Sequence, residues 1–329
     1  MEKQKKREYS AEKFADLYNQ TIGETEYAEA INARGVKVYR NRSTKAGDIL
    51  NLNICAVWNA RGEASKAKAA RRKQSPEVIE RRNARETERR IIGLLNANFG
   101  EDDYTLFLSF DDETIDARKA LQWFIRKCAD EHKKIGAAFR YLYMIERADR
   151  DGVPLRQHIH IFVDGELSRE WYEDVWRHRY GIANGTRLMP DENGLTGIAK
   201  YIHKAPRGEK RVRRWACSRN LKKPEERRSI RLPNGKTLSK RFLYDLVSGK
   251  YDAKEVFETV YRGYRFLGMQ IRQSEYVSGV YVDIKMSRIK PERRKARLDR
   301  LRDMQKELCS RTRGEMRAGF QSAKLIVRR

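Results

Sequence analysis

Within the run Arg156-Gln-His-Ile-His-Ile-Phe-Val-Asp164, polar and apolar residues alternate from His158 to Ile161, and this β-branched stretch with two histidines two residues apart constrains the fold more than any other. A β-strand sends successive side chains to opposite faces, so His158 and His160 share one face while Ile159 and Ile161 point into a core on the other. Imidazole is the commonest metal-binding side chain, and a pair at strand spacing supplies two ligands to one divalent ion without distorting the backbone. Two surface histidines on a half-buried strand would have the same spacing, so the rest of the chain has to decide between the two readings.

At 329 residues the chain is long enough for one large domain or two. Its 72 Lys and Arg residues against 46 Asp and Glu leave a net charge of +26, which calls for a polyanionic partner. Nucleic acid fits better than a membrane, because no apolar run approaches the roughly 18 residues needed to span one. The opening Met-Glu-Lys-Gln-Lys-Lys-Arg is not followed by an apolar segment, so no signal peptide is expected and the host cell cytoplasm is the expected compartment. Cys55, Cys128, Cys217 and Cys309 lie far apart and form no Cys-x-x-Cys pair, so neither a zinc knuckle nor a disulfide framework is readable and each is most simply a reduced thiol.

Residues 1 to about 60 carry short apolar patches, Val36-Lys-Val-Tyr39 and Ile54-Cys-Ala-Val-Trp58, that suit one or two strands. From Ala60 to Arg90 the chain becomes basic and rich in helix formers; such a helix is either simply solvated or grips phosphates. Ser75-Pro76 marks the start of a second helix, Glu77 to Asn96, anchored by Ile91-Ile-Gly-Leu-Leu95. Tyr104-Thr-Leu-Phe-Leu-Ser-Phe110 reads as a buried strand, followed by a helix with Ala117, Ala120, Leu121, Phe124, Ile125 and Cys128 at helical spacing. Phe139 to Glu146 is a further strand, Asp149-Arg-Asp-Gly152 a turn, and the histidine strand follows. Ser168 to about Arg179 reads as a helix with Trp171, Tyr172, Val175 and Trp176 inward.

Between Asp191 and Lys204, Leu195, Ile198, Ala199 and Ile202 form the apolar stripe of a short helix. At ~100° per residue, Tyr201 and Lys204 fall about 60° apart on the opposite side. A tyrosine and a lysine so placed are ordinary in themselves. The basic stretch Arg207 to Arg231 interleaves Trp215 with arginines and lysines, a composition that suits stacking on bases or capping a domain edge. Residues 255 to 290 alternate aromatic and polar side chains, as two or three strands of an accessory sheet would. From Pro291 a basic helix and tail are expected.

Taken in order, the apolar strand Thr105-Leu-Phe-Leu-Ser-Phe110, the triplet His158-Ile159-His160 and the helical Tyr201-Ile-His-Lys204 resemble the HUH endonucleases, in particular the rolling-circle replication initiators of phages, plasmids and integrative elements. The resemblance covers roughly residues 77 to 225. It implies an α+β fold with a central antiparallel β-sheet flanked by helices. The domain bounds it suggests are a basic helical N-terminal extension (1–95), an endonuclease domain (96–225), a small accessory β-rich region (226–290) and a basic C-terminal helix or tail (291–329).

The same resemblance implies the roles. Glu146, on the strand beside the histidines, completes a metal site with His158 and His160; Mg²⁺ or Mn²⁺ held there polarises a phosphodiester. Tyr201 attacks a single DNA strand at a replication origin, leaving a 5′-phosphotyrosine and a free 3′-OH that are later rejoined. Lys204 orients the phosphate or stabilises the phenolate, since a phenol ionises only near pH ~10. Relatives often carry a second tyrosine one turn earlier, where this chain has Gly197, so a dimer on DNA is expected for termination. Asn234-Gly-Lys-Thr237 resembles the end of a P-loop, but Ile230 stands where its first glycine belongs; unwinding then falls to a host helicase, alongside a host polymerase. The rival readings are a conjugative relaxase or single-tyrosine transposase, and a non-catalytic basic nucleic-acid-binding protein.

Overall fold

The computed structural model describes residues 9–10, 27–59, 61–148, 154–203, 215–274 and 276–289. In chain order its elements are β1 (Tyr9–Ser10), α1 (Tyr27–Asn32), β2 (Val36–Ala46), β3 (Ile49–Trp58), α2 (Arg61–Arg72), α3 (Pro76–Asn98), β4 (Tyr104–Ser109), α4 (Ala117–Lys134), β5 (Tyr141–Ala148) and β6 (Pro154–Val163). They continue with α5 (Arg169–Arg177), β7 (Ala183–Arg187), α6 (Thr196–His203), β8 (Trp215–Cys217), β9 (Glu225–Ser229), α7 (Lys240–Val247), α8 (Ala253–Val260), β10 (Tyr264–Gln273) and β11 (Val280–Arg288). The architecture is α+β, with antiparallel sheets flanked by helices.

There are two sheets: the central one that the sequence suggests, and a second that is larger than the small accessory sheet expected after residue 255. The histidine sheet has the order β7-β4-β6-β5-β8, which puts β6 at its centre. The other sheet has the order β10-β11-β3-β2-β9, with β1 also paired to β3. The short strands expected before residue 60 and the aromatic strands expected after 255 therefore lie side by side, with β11 hydrogen-bonded along β3. Helices α7 and α8, absent from the sequence reading, pack Phe242, Leu246 and Phe257 into the core of this sheet. The expected turn at 149–152 and the C-terminal helix lie outside the described residues.

Alternation along the strands splits the histidine sheet into two apolar layers. Leu106, Leu108, Ile145, Ile159 and Ile161 face α4 and α5, where Phe124, Tyr172 and Trp176 complete the core. On the opposite face Leu142, Met144 and Phe162 meet Ile91 and Leu95 of α3 and Ala199 and Ile202 of α6. The histidines lie on this second face. Its apolar cover runs out just where His158 and His160 begin, so one strand face is core at one end and site at the other.

Helix α3 starts as the sequence suggests, with the Ser75 hydroxyl accepting from the Val78 amide and Pro76 in the first turn. Near its other end Asn96 joins distant parts of the fold. Its side-chain Oδ1 accepts from the Leu195 amide at 2.8 Å, which fixes the chain entering α6. Gly194 (φ +65) approaches that oxygen and Gly47 (φ +57) approaches the Asn96 carbonyl; a Cβ at either glycine would overlap these atoms. Helix α6 begins at Thr196 rather than Asp191, because Asp191 and Gly194 pair their backbones in a turn first. Asn234-Gly-Lys-Thr237 is a tight turn: Arg231 and Thr237 form a bridge, and Gly235 (φ +82) makes the reversal.

Candidate functional site

Strand register decides which side chains meet. In the antiparallel pairing of β5 with β6, Glu146 stands opposite His158 and Met144 opposite His160. On the other side of β6, β4 sets Ser109 opposite His158 and Phe107 opposite His160. Directly opposed residues point to the same face, so Glu146, His158, His160 and Phe107 form one cluster. Glu146 Oε2 is 2.9 Å from His158 Nε2 and 3.6 Å from His160 Nε2. One ligand atom from each of the three residues lies within 4.8 Å of the others. All three side chains are about one-seventh exposed, which leaves an opening to solvent.

The His158 tautomer follows from its neighbours. Its Nδ1 lies 3.0 Å from the Arg156 carbonyl, which can only accept, so Nδ1 carries the hydrogen. The opposite nitrogen, Nε2, is left to face Glu146: protonated, it donates to the carboxylate; deprotonated, it offers a lone pair to a metal. Burial alone would push the Glu146 carboxyl up, but the hydrogen bonds and charges of His158 and His160 outweigh it and hold it down at about 2 from an ordinary 4.5. For His158, burial disfavours the imidazolium, yet the bonds to Glu146 and to the Arg156 carbonyl and the Glu146 charge raise its pKa overall.

The donor chemistry fits a divalent metal. Two neutral imidazole nitrogens and one carboxylate oxygen converge from adjacent central strands, a set common to catalytic metal sites. His158, His160 and Glu146 are thus brought together as the sequence suggests. Phe107 was missed: it packs on both imidazoles, with ring centroids 5.0 and 5.5 Å away, and limits the orientations they can take. The alternation of Tyr104 to Phe110 places it there, although that strand reads from sequence as wholly buried.

Tyr201 projects from α6 beside this cluster. Its ring meets that of His160 edge-on at 6.4 Å between centroids, and 62% of the residue is exposed. Leu195, Ala199 and Ile202, buried on the opposite side of the helix, hold it in that position. Lys204 lies outside the described residues. Gly197, one turn before Tyr201, is exposed, with nothing within 4 Å of where a Cβ would stand. Trp215 is half-buried against the α3–α6 layer, with the Arg90 guanidinium 5.5 Å above its ring. No helix among the described residues is long and apolar enough to cross a membrane. Comparison with profiles of protein families finds no match, comparison with curated proteins finds none, and comparison with solved structures finds none.

Proposed function

We propose that the protein is a metal-dependent DNA nickase and strand transferase that initiates rolling-circle replication from a single-stranded origin. The observation that carries this reading is the exposed phenol of Tyr201 standing edge-on to His160, on the open side of the Glu146–His158–His160 cluster. Nothing in a purely structural histidine pair calls for an exposed tyrosine beside it.

His158, His160 and Glu146 would hold Mg²⁺ or Mn²⁺. Bound there, the ion polarises a non-bridging phosphate oxygen and offsets the charge that develops on it. Tyr201 Oη forms the new bond to phosphorus while the bond to the 3′-oxygen breaks. The phenolic proton is given up, and the departing 3′-oxygen takes one up. One phosphodiester is exchanged for another, so the linkage can be reversed by the same 3′-OH without an external energy source. His158, fixed as a tautomer by the Arg156 carbonyl, keeps Nε2 directed toward Glu146 and the position the ion would take between them. Lys204, three residues after Tyr201, is assigned to the phosphate or phenolate. The chain's +26 charge supplies the attraction to the strand.

The test is incubation with single-stranded DNA of the protein's own replicon and Mn²⁺, followed by denaturing electrophoresis. The expected product is a stable protein–DNA adduct that a chelator prevents and that mass spectrometry places on Tyr201. Strand binding with no metal-dependent cleavage would favour the non-catalytic reading instead.

A further inference from the structure

The histidine face of the sheet is covered over only part of its width. Among the described residues, the apolar layer built from α3 and α6 rests on Leu142 and Met144 of β5 and Phe162 of β6, and includes no side chain of β4 or β7. Register fixes what those two strands show instead. Leu106, Leu108 and Ala183 enter the opposite core, so alternation turns Thr105, Phe107 and Ser109 of β4 and Asn184 and Thr186 of β7 to the histidine face. Thr105 stands opposite Thr186, and Phe107 opposite Asn184. None of the five is buried. Asn184 and Thr186 are exposed, Thr105 and Ser109 are half-buried, and Phe107 keeps 38% of its surface open although it packs on both imidazoles. Ile182, just before β7, is 58% exposed, and its carbonyl accepts from the Ser109 amide at 2.9 Å, at the metal end of the sheet.

This patch carries no charged side chain from either strand. In a chain in which 36% of residues are charged, open strands are otherwise built differently: β9, exposed along its whole length, has Glu225, Glu226, Arg227 and Arg228 among its five residues. The patch has no cation for a phosphate, but its chemistry matches a nucleobase, which offers an apolar face to a ring and donors and acceptors at its edges. Phe107 and Ile182 supply apolar surface. The Asn184 amide supplies both a donor and an acceptor, and the Thr105 and Thr186 hydroxyls serve as either. A base lies against a side-chain ring only after leaving its own stack, so the patch suits a single strand rather than a duplex.

The patch is also continuous with the metal centre. Asn184, Phe107 and His160 form a row across three neighbouring strands, which at ~4.8 Å per strand puts Asn184 two strand spacings from His160. A nucleotide whose phosphate lies at the metal therefore has its neighbours beside β4 and β7. Phe107 belongs to both regions, since one side of its ring meets the imidazoles and the rest is open.

We infer that this uncharged patch receives the bases next to the phosphate that Tyr201 attacks, one base lying against Phe107 and Ile182 with its edge read by Asn184, so that β4 and β7 select where the strand is nicked. The inference rests on the nicking reading above and adds what sets its sequence preference. Two experiments with the full chain test it, using Phe107→Leu and Asn184→Ala, both at positions open to solvent. In the first, with a chelator present, fluorescence anisotropy compares a labelled mixed-sequence single-stranded 30-mer with an abasic 30-mer of equal phosphate count. Phe107→Leu should narrow the wild-type preference for the strand with bases by about fivefold or more, and Phe107→Trp should restore it. Affinity for the abasic strand should stay at the wild-type value in all three proteins. In the second, with Mn²⁺ and single-stranded DNA of the protein's own replicon, Asn184→Ala should lower kcat/KM and accept base changes beside the nick that wild type rejects, with Mn²⁺ affinity unchanged by calorimetry. A preference for bases that neither variant alters would overturn the inference whether or not the protein nicks, and would leave the patch to a protein partner. Equal tolerance of base changes in wild type and Asn184→Ala would overturn the reading by Asn184. A preference that Phe107→Leu narrows, in a protein whose wild type never forms an adduct, would support the patch and sink the nicking reading.

Discussion

His158 Nε2 lies 2.9 Å from Glu146 Oε2 across directly opposed positions of β5 and β6, so two of the candidate metal ligands form an ion pair with each other when His158 is protonated. Glu146, with its pKa depressed to about 2, contributes stability that is complete above its ordinary 4.5 and is lost as pH falls toward 2. The raised pKa of His158 works in the other direction: its contribution is complete below its ordinary 6.5 and is lost as pH rises through the raised value. In the presence of a chelator, wild type should therefore exceed Glu146→Gln in thermal stability most clearly between pH 4.5 and 6.5. A melting series across pH checks this; a difference that grows steadily above neutrality would contradict the pairing.

Removing one ligand should weaken the metal site without abolishing it. Glu146→Ala leaves the two imidazoles, so Mn²⁺ affinity should fall by more than the ~10–100-fold that loss of a group supporting a ligand costs. Raised Mn²⁺ should then partly restore cleavage. His158→Ala with His160→Ala should remove both binding and cleavage. Calorimetric titration with Mn²⁺ follows the first effect and oligonucleotide cleavage the second; chelator-resistant activity in the double variant would refute the centre.

Tyr201→Phe removes a single oxygen from an exposed ring, so stability and strand affinity should stay near wild type. Cleavage and adduct formation should disappear. Gly197→Tyr offers a complementary test, because no atom stands within 4 Å of its missing Cβ and the helix can accept the larger side chain. If termination needs a second tyrosine, wild-type protein mixed with excess Tyr201→Phe should lose circle release more than initial nicking, and Gly197→Tyr should lessen that sensitivity. Equal suppression of the two steps would mean that one subunit completes the reaction.

At the far end of β6, Asp164 holds a wholly buried group: Oδ1 lies 2.7 Å from His132 Nε2 and Oδ2 accepts from the Arg140 amide at 2.7 Å. The other nitrogen of His132 donates to the Cys128 carbonyl at 2.7 Å, so the ring ties α4 to the end of the strand. Asp164→Ala removes the carboxylate that pairs with His132 Nε2 in a dry site and should cost about 3–5 kcal/mol in denaturant unfolding. Mn²⁺ affinity of the folded fraction should survive, since the metal ligands lie at the opposite end of the strand.

Strand affinity should fall steeply with salt. A chain of net charge +26 that binds through phosphates releases counterions, and several neutralised phosphates imply a loss of about 10³-fold or more between roughly 50 and 200 mM salt. Anisotropy at stepped salt concentrations measures the slope; an affinity that does not change over that range would rule out phosphate binding as the main source of affinity.

The sequence by itself determined what local geometry repeats. A period of two from His158 to Ile161 puts His158 and His160 on one face, and a stripe at helical spacing leaves Tyr201 on the outside of α6, because each follows from backbone geometry over a few residues. Glu146 was legible as a ligand through family resemblance, while its exact partner came from the β5–β6 register. Tertiary structure alone decided the rest. Asn53 bonds to Asp283 across 230 positions, and no local pattern in β3 says that β11 will lie beside it. Phe107 reaches the imidazoles, and Asn96 fixes the entry to α6, only because separate elements dock at those points. Alternation tells which residues share a face; which faces meet is settled by burial over the whole chain, and that is where the site is assembled.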